Sequence, residues 1–121
     1  MQVLSAESGG SCFLIPVAEV EQVLPVPGHL ATKLLNKQFP PEIVFEGKAF
    51  ALRLLSSANN YSILRGSRLI KPIGGKAELF YCDVVLNLLT IPKSSHCEHA
   101  VGDKVFTLIS FSGLSQEAHY E

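Results

Sequence analysis

The sequence predicts a single, mainly β domain with one or two short helices. The 121 residues are 47% hydrophobic and 17% charged, which suits one domain with a substantial core. Glycine turns recur between short apolar runs, as in consecutive β-hairpins. The last of these runs is apolar on both faces, which favours a closed barrel or a sandwich over an open sheet with one solvated face.

Four glycine turns each predict a β-hairpin, because glycine tolerates the positive φ that tight hairpin turns require. Gly47, Gly75 and Gly102 separate strand-like runs, and Gly9–Gly10 is a weaker fourth instance. The run Val105–Phe111 places apolar side chains on both faces. We therefore expect this strand to be covered on both sides.

Three stretches carry helical signals. The segment Val17–Leu24 repeats apolar residues every three or four positions and stops before Pro25, which predicts a short helix. Asp83–Leu89 predicts a turn or two of helix with Asp83 as its N-cap. Gly28–Gln38 has leucines at helical spacing and is followed by a proline pair.

The ends of the chain and the cysteines indicate a compartment. The N-terminus lacks the basic start and unbroken apolar stretch of a signal peptide, and no run reaches the ~18 apolar residues of a membrane span. Cys12, Cys82 and Cys97 show no paired spacing. We expect a cytoplasmic protein with reduced thiols and no membrane insertion, with residues 1–114 as the domain and 115–121 as a polar tail.

Charge is distributed unevenly, although the net charge is only −1. The segment 48–76 contains basic residues and no acid, and Phe50 or Tyr61 could stack on bases, so a small nucleic-acid-binding β-barrel is an alternative function. On hairpins these side chains would point in several directions, which disfavours nucleic acid and favours an acidic protein partner. The basic residues are Lys48, Arg53, Arg65, Arg68, Lys71 and Lys76.

Candidate metal ligands and nucleophiles cluster at one place, His96-Cys97-Glu98-His99. Zinc sites usually draw four ligands from separated pairs, and a thiolate nucleophile needs a base oriented by a third group. One tetrapeptide supplies the residue types without that arrangement, so a polar loop is the favoured interpretation and metal binding stays open. We predict no catalytic residues, no cofactor and no metal site.

Four segments, taken in order, fit the motifs of one family. Ile15–Pro25 fits "LP-x-x-x-V-x-x-V-L-x-x-P", and Pro41–Leu55 fits "G-V-I-N-L-R-G-x-x-x-P-V-V-D-L". Glu78–Val85 fits "G-L-x-V-D-x-V", and Ala100–Ser110 fits a final strand pair around "L-x-G-x-x-x-x-L-L-D". Over residues 10–114 the chain therefore resembles the CheW-like domain, the adaptor module of bacterial chemotaxis signalling.

The resemblance implies a fold and a function. The fold would be two small SH3-like β-barrel subdomains that share one core. The function would be that of a non-enzymatic cytoplasmic adaptor that bridges the cytoplasmic tip of a chemoreceptor and the regulatory domain of a CheA-type histidine kinase. By motif position, the residues expected to face partners are Val17, Val20, Phe45, Glu46 and Gly47.

The chain departs from the family motifs at three positions. Glu46 stands where the family has arginine in the turn that contributes to receptor contacts, and Leu54 and Ser110 replace family aspartates. Only Asp83 retains a family acid. A glutamate facing a partner site suited to arginine would be opposed by like charge.

Overall fold

The computed structural model describes residues 1–56, 60–92 and 97–111, and these form ten strands in two five-stranded sheets. The strands are β1 (Gln2–Ser8), β2 (Ser11–Pro16), β3 (Val20–Pro25), β4 (Glu42–Phe45), β5 (Lys48–Leu54), β6 (Arg68–Pro72), β7 (Glu78–Cys82), β8 (Val84–Thr90), β9 (Glu98–Val101) and β10 (Lys104–Leu108). A 3-10 helix, η1 (Val17–Glu19), precedes β3, and the helix α1 (Gly28–Leu35) precedes β4.

The chain divides its strands between two sheets. Sheet A has the order β8-β1-β2-β10-β9, and sheet B has the order β3-β6-β7-β5-β4. Each sheet contains one parallel pair, β2 with β10 and β5 with β7. The mainly β class and the two-part architecture are confirmed. Within the described ranges, however, the end strands of each sheet are unpaired, so neither sheet is a closed barrel.

The four predicted hairpins are confirmed. The turns Gly9–Gly10, Glu46–Gly47 and 102–103 each join antiparallel neighbours through two residues, and a longer turn at Gly74–Gly75 joins β6 to β7. Every glycine in these turns has positive φ, from 59° at Gly9 to 122° at Gly74. The glycine positions therefore set where the strands reverse.

The core of the described residues consists of three apolar clusters. One is formed by sheet B with α1, one by sheet A, and one lies between the two sheets. Strand β7 is covered on both sides. Leu79 and Tyr81 point into the cluster of sheet B, and Phe80 and Cys82 point into the cluster between the sheets. This inter-sheet cluster contains Ala6, Ile15, Leu55, Ile70, Phe80, Cys82 and Phe111.

Two of the three predicted helices are wrong. Val17–Leu24 forms only the three-residue η1 before β3 begins, because β-branched valines favour the extended ladder with β6. Asp83–Leu89 is a strand, since Val84–Thr90 pairs with β1. The helix predicted at Gly28–Gln38 is confirmed by α1, which buries Leu30 and Leu34.

The prediction that the strand beginning at Val105 is covered on both sides is also wrong. Strand β10 buries Phe106, but Val105 is 58% exposed. A strand in sheet A can thus carry apolar residues on both faces and still leave one face in solvent. The predicted boundary at residue 114 and the tail 115–121 lie outside the described residues. No helix of the described chain is both long enough and apolar enough to cross a membrane.

Candidate partner-binding surfaces

The residues predicted to face partners lie at opposite edges of sheet B. Val17 and Val20 belong to η1 and the start of β3, whereas Phe45, Glu46 and Gly47 end β4 and turn into β5. Strands β6, β7 and β5 separate the two edges. The structure therefore places these residues in two separate surfaces.

The first surface is the turn between β4 and β5. Phe45 and Lys48 are partners in the register, so the turn contains only Glu46 and Gly47. Both have positive φ, 51° and 77°, as in a type I′ turn. The Phe45 side chain is half-buried against the core of sheet B, and Glu46 and Gly47 are exposed. A partner approaching this turn would therefore meet the Glu46 carboxylate before the apolar ring.

The second predicted segment is a joint between the sheets. The Glu19 carboxylate accepts hydrogen bonds from the Ser110 hydroxyl at 3.2 Å and the Phe111 N–H at 3.0 Å. The Glu19 carbonyl accepts the Ile73 N–H at 2.9 Å. Val20 packs against the inter-sheet cluster. This segment therefore fixes one sheet against the other, and only part of each valine remains accessible.

Apolar side chains next to this joint were missed by the sequence analysis. In the ladder of sheet A, Leu4 lies opposite both Ile15 and Leu88. Leu88 is 58% exposed and pairs with Leu4, which packs against the inter-sheet cluster, and its strand contains no charged residue. We call Leu4, Val17, Val20 and Leu88 the seam surface. Treating Val84–Thr90 as an uncharged edge strand would have revealed Leu88.

Three cations of the basic segment contact groups of the chain itself. Arg53 pairs with Glu78 at 3.0 Å, and Lys71 pairs with Glu21 at 2.7 Å. The Arg68 guanidinium donates to the carbonyl groups of Arg65 and Ser67. These contacts engage three of the six cations of the segment 48–76 within the chain.

The two aromatic residues considered for base stacking occupy core positions. Phe50 is 4% exposed, and the Lys48 and Lys71 ammonium groups lie 5.3 and 5.6 Å from its ring centroid. The Tyr61 ring packs against Phe39 and Tyr81, and its hydroxyl donates to the Leu34 carbonyl at 3.2 Å. Their packing does not favour a role in stacking on nucleic-acid bases.

Asp83 joins three parts of the chain rather than capping a helix. Its carboxylate accepts the Gly9 N–H at 3.1 Å and the Ser62 N–H at 2.9 Å. Its carbonyl accepts the Ser67 hydroxyl at 2.7 Å. The prediction that Asp83 caps a helix is wrong, because the residues after it form a strand. Its hydrogen bonds instead connect the hairpin turn of sheet A to the segment that precedes β6.

Two neighbours of Asp83 have strongly raised pKa values. Burial away from water raises the pKa of the Cys82 thiol to about 12, and it also raises the pKa of the Tyr81 hydroxyl to about 12. Tyr81 donates its hydroxyl hydrogen to the Ser62 carbonyl at 2.6 Å. At neutral pH both groups are therefore protonated parts of the core, and the Cys82 thiol has no nucleophilic character.

The candidate metal cluster is divided by the structure. His96 lies outside the described residues, and Cys97 is exposed. Glu98 and His99 are consecutive in β9, so their side chains leave opposite faces of the strand. Across 1–56, 60–92 and 97–111, no three His, Cys, Asp or Glu side chains come together as a metal site.

Comparisons with known proteins find a likeness among solved structures. No protein-family model matches the sequence, and no curated protein matches it. Among solved structures, the chain is similar to the scaffolding protein TtCheW from Thermoanaerobacter tengcongensis, with a TM-score of 0.59 and 14% identity. The match covers 90% of this chain and 88% of that one. The chain has a CheW-like fold.

At 14% identity the likeness concerns the fold. The likeness confirms the CheW-like architecture of two small β subdomains that the order of the sequence motifs implies. The low identity agrees with the departures at Glu46, Leu54 and Ser110. The roles of Val17, Val20, Phe45, Glu46 and Gly47 remain predictions.

Proposed function

We propose that the protein is a non-enzymatic cytoplasmic adaptor of a chemotaxis-type signalling system. It would bridge the cytoplasmic tip of a chemoreceptor and the regulatory domain of a CheA-type histidine kinase through protein contacts. The observation that carries this proposal is the CheW-like fold, shared with a scaffolding protein over 90% of the chain. Function lies in surfaces rather than in the fold itself, so the two surfaces described above are the basis of the test.

An adaptor needs two surfaces that partners can occupy together. The turn between β4 and β5 lies at one edge of sheet B, and the seam surface lies beyond its other edge, where η1 joins β3. The seam surface offers apolar side chains between two rigid sheets, a geometry suited to an amphipathic helix. In the family this turn carries an arginine and contributes to receptor contacts, and Glu46 reverses that charge. We therefore assign the receptor tip to the seam surface and the kinase domain to the turn.

Binding strength would come from a few apolar contacts within a polar rim. At the turn, Val44 is 61% exposed and lies beside the acidic Glu46. A kinase domain that binds here would need to present a cation or a hydrogen-bond donor to this carboxylate, since an acidic surface would be repelled. A kinase domain that binds Glu46 would therefore differ in surface charge from partners that bind the arginine of the family motif.

The kinase half of the proposal can be tested by co-elution. The purified protein is mixed with the regulatory domain of the host's CheA-type kinase, and we expect a shared peak in size-exclusion chromatography. Glu46→Arg should weaken this complex about tenfold or more through charge reversal, with little change in thermal stability. Asp103→Arg is the matched control, because Asp103 lies in another exposed two-residue turn, the one that joins β9 to β10 in sheet A.

The proposal fails for the kinase if no co-migration occurs at high micromolar concentration with any CheA-type kinase of the host. If Asp103→Arg weakens the complex as much as Glu46→Arg, the turn between β4 and β5 is not the contact. A large loss of thermal stability in Glu46→Arg with unchanged binding would also remove Glu46 from the interface.

The receptor half is tested at the seam surface. Leu88→Glu should abolish binding of a soluble receptor-tip fragment measured by calorimetry, because a carboxylate cannot be buried there without a partner. Val105→Glu is the matched control, since both residues are 58% exposed and both lie in sheet A. Equal loss in the two variants would argue against the seam surface as the receptor site.

A further inference from the structure

A narrow cleft lies between α1 and the edge strand β4. Its volume is about 230 Å³, and it is formed by residues from both elements. Leu30 and Ile43 are buried at its base, whereas His29 and Lys33 of α1 are exposed beside it. On the strand side Val44 is 61% exposed. The cleft thus combines an apolar base, basic groups on the helix side, and on the other side the end strand of the sheet, which carries the acidic Glu42 beside Val44.

The hydrogen-bond pattern of β4 can be deduced from its two ends. At one end the Leu52 N–H donates to the Pro41 carbonyl at 2.9 Å. At the other end Phe45 and Lys48 flank a two-residue turn, which makes them a hydrogen-bonded pair. Bonded and non-bonded pairs alternate along an antiparallel ladder. Both ends of β4 therefore give the same pattern of bonded and non-bonded pairs for the residues between them.

This alternation leaves a free backbone edge in the cleft. Ile43 is bonded to β5, so Glu42 and Val44 direct their N–H and C=O groups away from β5. Within the described residues, β4 is the last strand of sheet B. An extended peptide could therefore pair with Glu42 and Val44 and continue the sheet.

Charge indicates which peptide would fit. His29 and Lys33 are four positions apart on α1, so they lie on one face of the helix beside the cleft. Glu42 leaves the opposite face of β4 from Ile43, whose side chain points toward the core shared with α1. Side chains of an added strand that point toward α1 would meet basic groups. Those on the other face would lie beside Val44 and Glu42, so acidic side chains fit only the face toward α1.

We propose that the cleft between α1 and β4 binds an extended acidic peptide segment of a partner protein as an added strand of sheet B. Acidic residues at alternate positions face His29 and Lys33, and apolar residues between them pack beside Val44. The volume of about 230 Å³ is below the roughly 300–1,000 Å³ of small-molecule pockets, which favours a peptide segment over a whole small ligand. This surface borders the turn between β4 and β5 through Val44, and it is separate from the seam surface.

The probe is a fluorescein-labelled peptide, Thr-Glu-Val-Glu-Val-Glu-Thr, capped at both ends, and the measurement is fluorescence anisotropy with the full chain. We expect saturable binding that weakens about tenfold in Lys33→Glu through charge reversal. Lys37→Glu is the matched control, because Lys37 follows the same helix but lines a different cleft. The same peptide with lysine in place of glutamate should not bind.

Backbone pairing is tested at Val44. Val44→Pro removes only the N–H that points away from β5, so the ladder to β5 stays intact while peptide affinity drops about tenfold. Val44→Ala keeps this N–H and should change affinity by less than about threefold. A peptide methylated on alternate backbone nitrogens tests the same bonds on the ligand, so the result does not depend on the folding of Val44→Pro.

Three results would overturn the proposal. The first is that no saturable binding occurs at peptide concentrations up to about 1 mM, because a specific peptide site would have a lower dissociation constant than this. The second is equal binding of the acidic and basic peptides, and the third is full affinity of the methylated peptide. Loss of peptide binding with kinase co-elution retained in Lys33→Glu would support the cleft as a separate surface, and this comparison distinguishes it from the proposed adaptor contacts.

Discussion

Asp83 shows how one carboxylate organises the junction of the two sheets. It accepts the N–H groups of Gly9 and Ser62, which belong to segments far apart in the chain. The sequence analysis predicted that Asp83 caps backbone N–H groups, but it placed those groups in the first turn of a helix. The predicted helix cap is wrong, because tertiary structure determines which N–H groups reach the Asp83 carboxylate. A short polar residue before an apolar run fits both outcomes.

The adjacent residues Tyr81 and Cys82 predict the alkaline limit of stability. Their pKa values rise on folding from 10.0 and 9.0 to about 12, mainly because both groups are buried. Folding favours the protonated forms, so this stabilisation is fully present below pH 9 and is lost as the pH rises from 9 through 12. We expect the free energy of unfolding to fall on the order of 3 kcal/mol between about pH 8 and about pH 11.

Guanidinium unfolding at several pH values measures this decrease. The double variant Tyr81→Phe and Cys82→Ala lacks both titrating groups, so its free energy of unfolding should depend much less on pH in this range. An equally steep decrease in the double variant would show that other groups set the alkaline limit.

At the scale of elements, the turn between β4 and β5 predicts a stabilising substitution. Glu46 has a φ of 51°, a left-handed conformation that disfavours residues with a Cβ by roughly 1–2 kcal/mol. Asparagine is the preferred residue at this position of a type I′ turn. We expect Glu46→Asn to raise the free energy of unfolding by about 0.5–1 kcal/mol in urea titrations.

The matching turn in sheet A provides the control. There the positive φ belongs to Gly102, and Asp103 is not among the residues with positive φ. Asp103→Asn should therefore leave the stability nearly unchanged. A similar gain in both variants, or a loss in Glu46→Asn, would contradict the role assigned to backbone strain.

The elements also show where sequence analysis succeeds. Hairpins were predicted because glycine at positions such as Gly47 and Gly102 is a local requirement of the turn. The strands at Val20–Pro25 and Val84–Thr90 were assigned as helices because short apolar runs fit both periods. Pairing with β6 and β1 decides between them, and this pairing brings together residues that are distant in sequence. Of the candidate surfaces, the turn was identified from the sequence. Leu88 was missed because its strand was assigned as a helix.

At the scale of the whole molecule, the two sheets share one buried cluster. Phe80 of β7 in sheet B and Ile15 of β2 in sheet A are both buried in this cluster. The Phe80 ring also lies 4.9 Å from the ring of Phe111, measured between centroids. Because residues from both sheets are fully buried together, neither sheet can separate without exposing apolar surface. An adaptor with this core would hold its two partner surfaces in a fixed relation.

The inter-sheet cluster therefore predicts that the sheets unfold together. Phe80→Ala should lower the free energy of unfolding by about 3–5 kcal/mol, because it leaves a cavity between the sheets. In native-state hydrogen exchange, the amides of Ile15 and Ile70, one in each sheet, should lose equal protection. Leu35→Ala, at a position 68% exposed, should change neither. If only Ile70 loses protection in Phe80→Ala, the sheets are separate folding units, and binding at one sheet could not be transmitted through the core to the other.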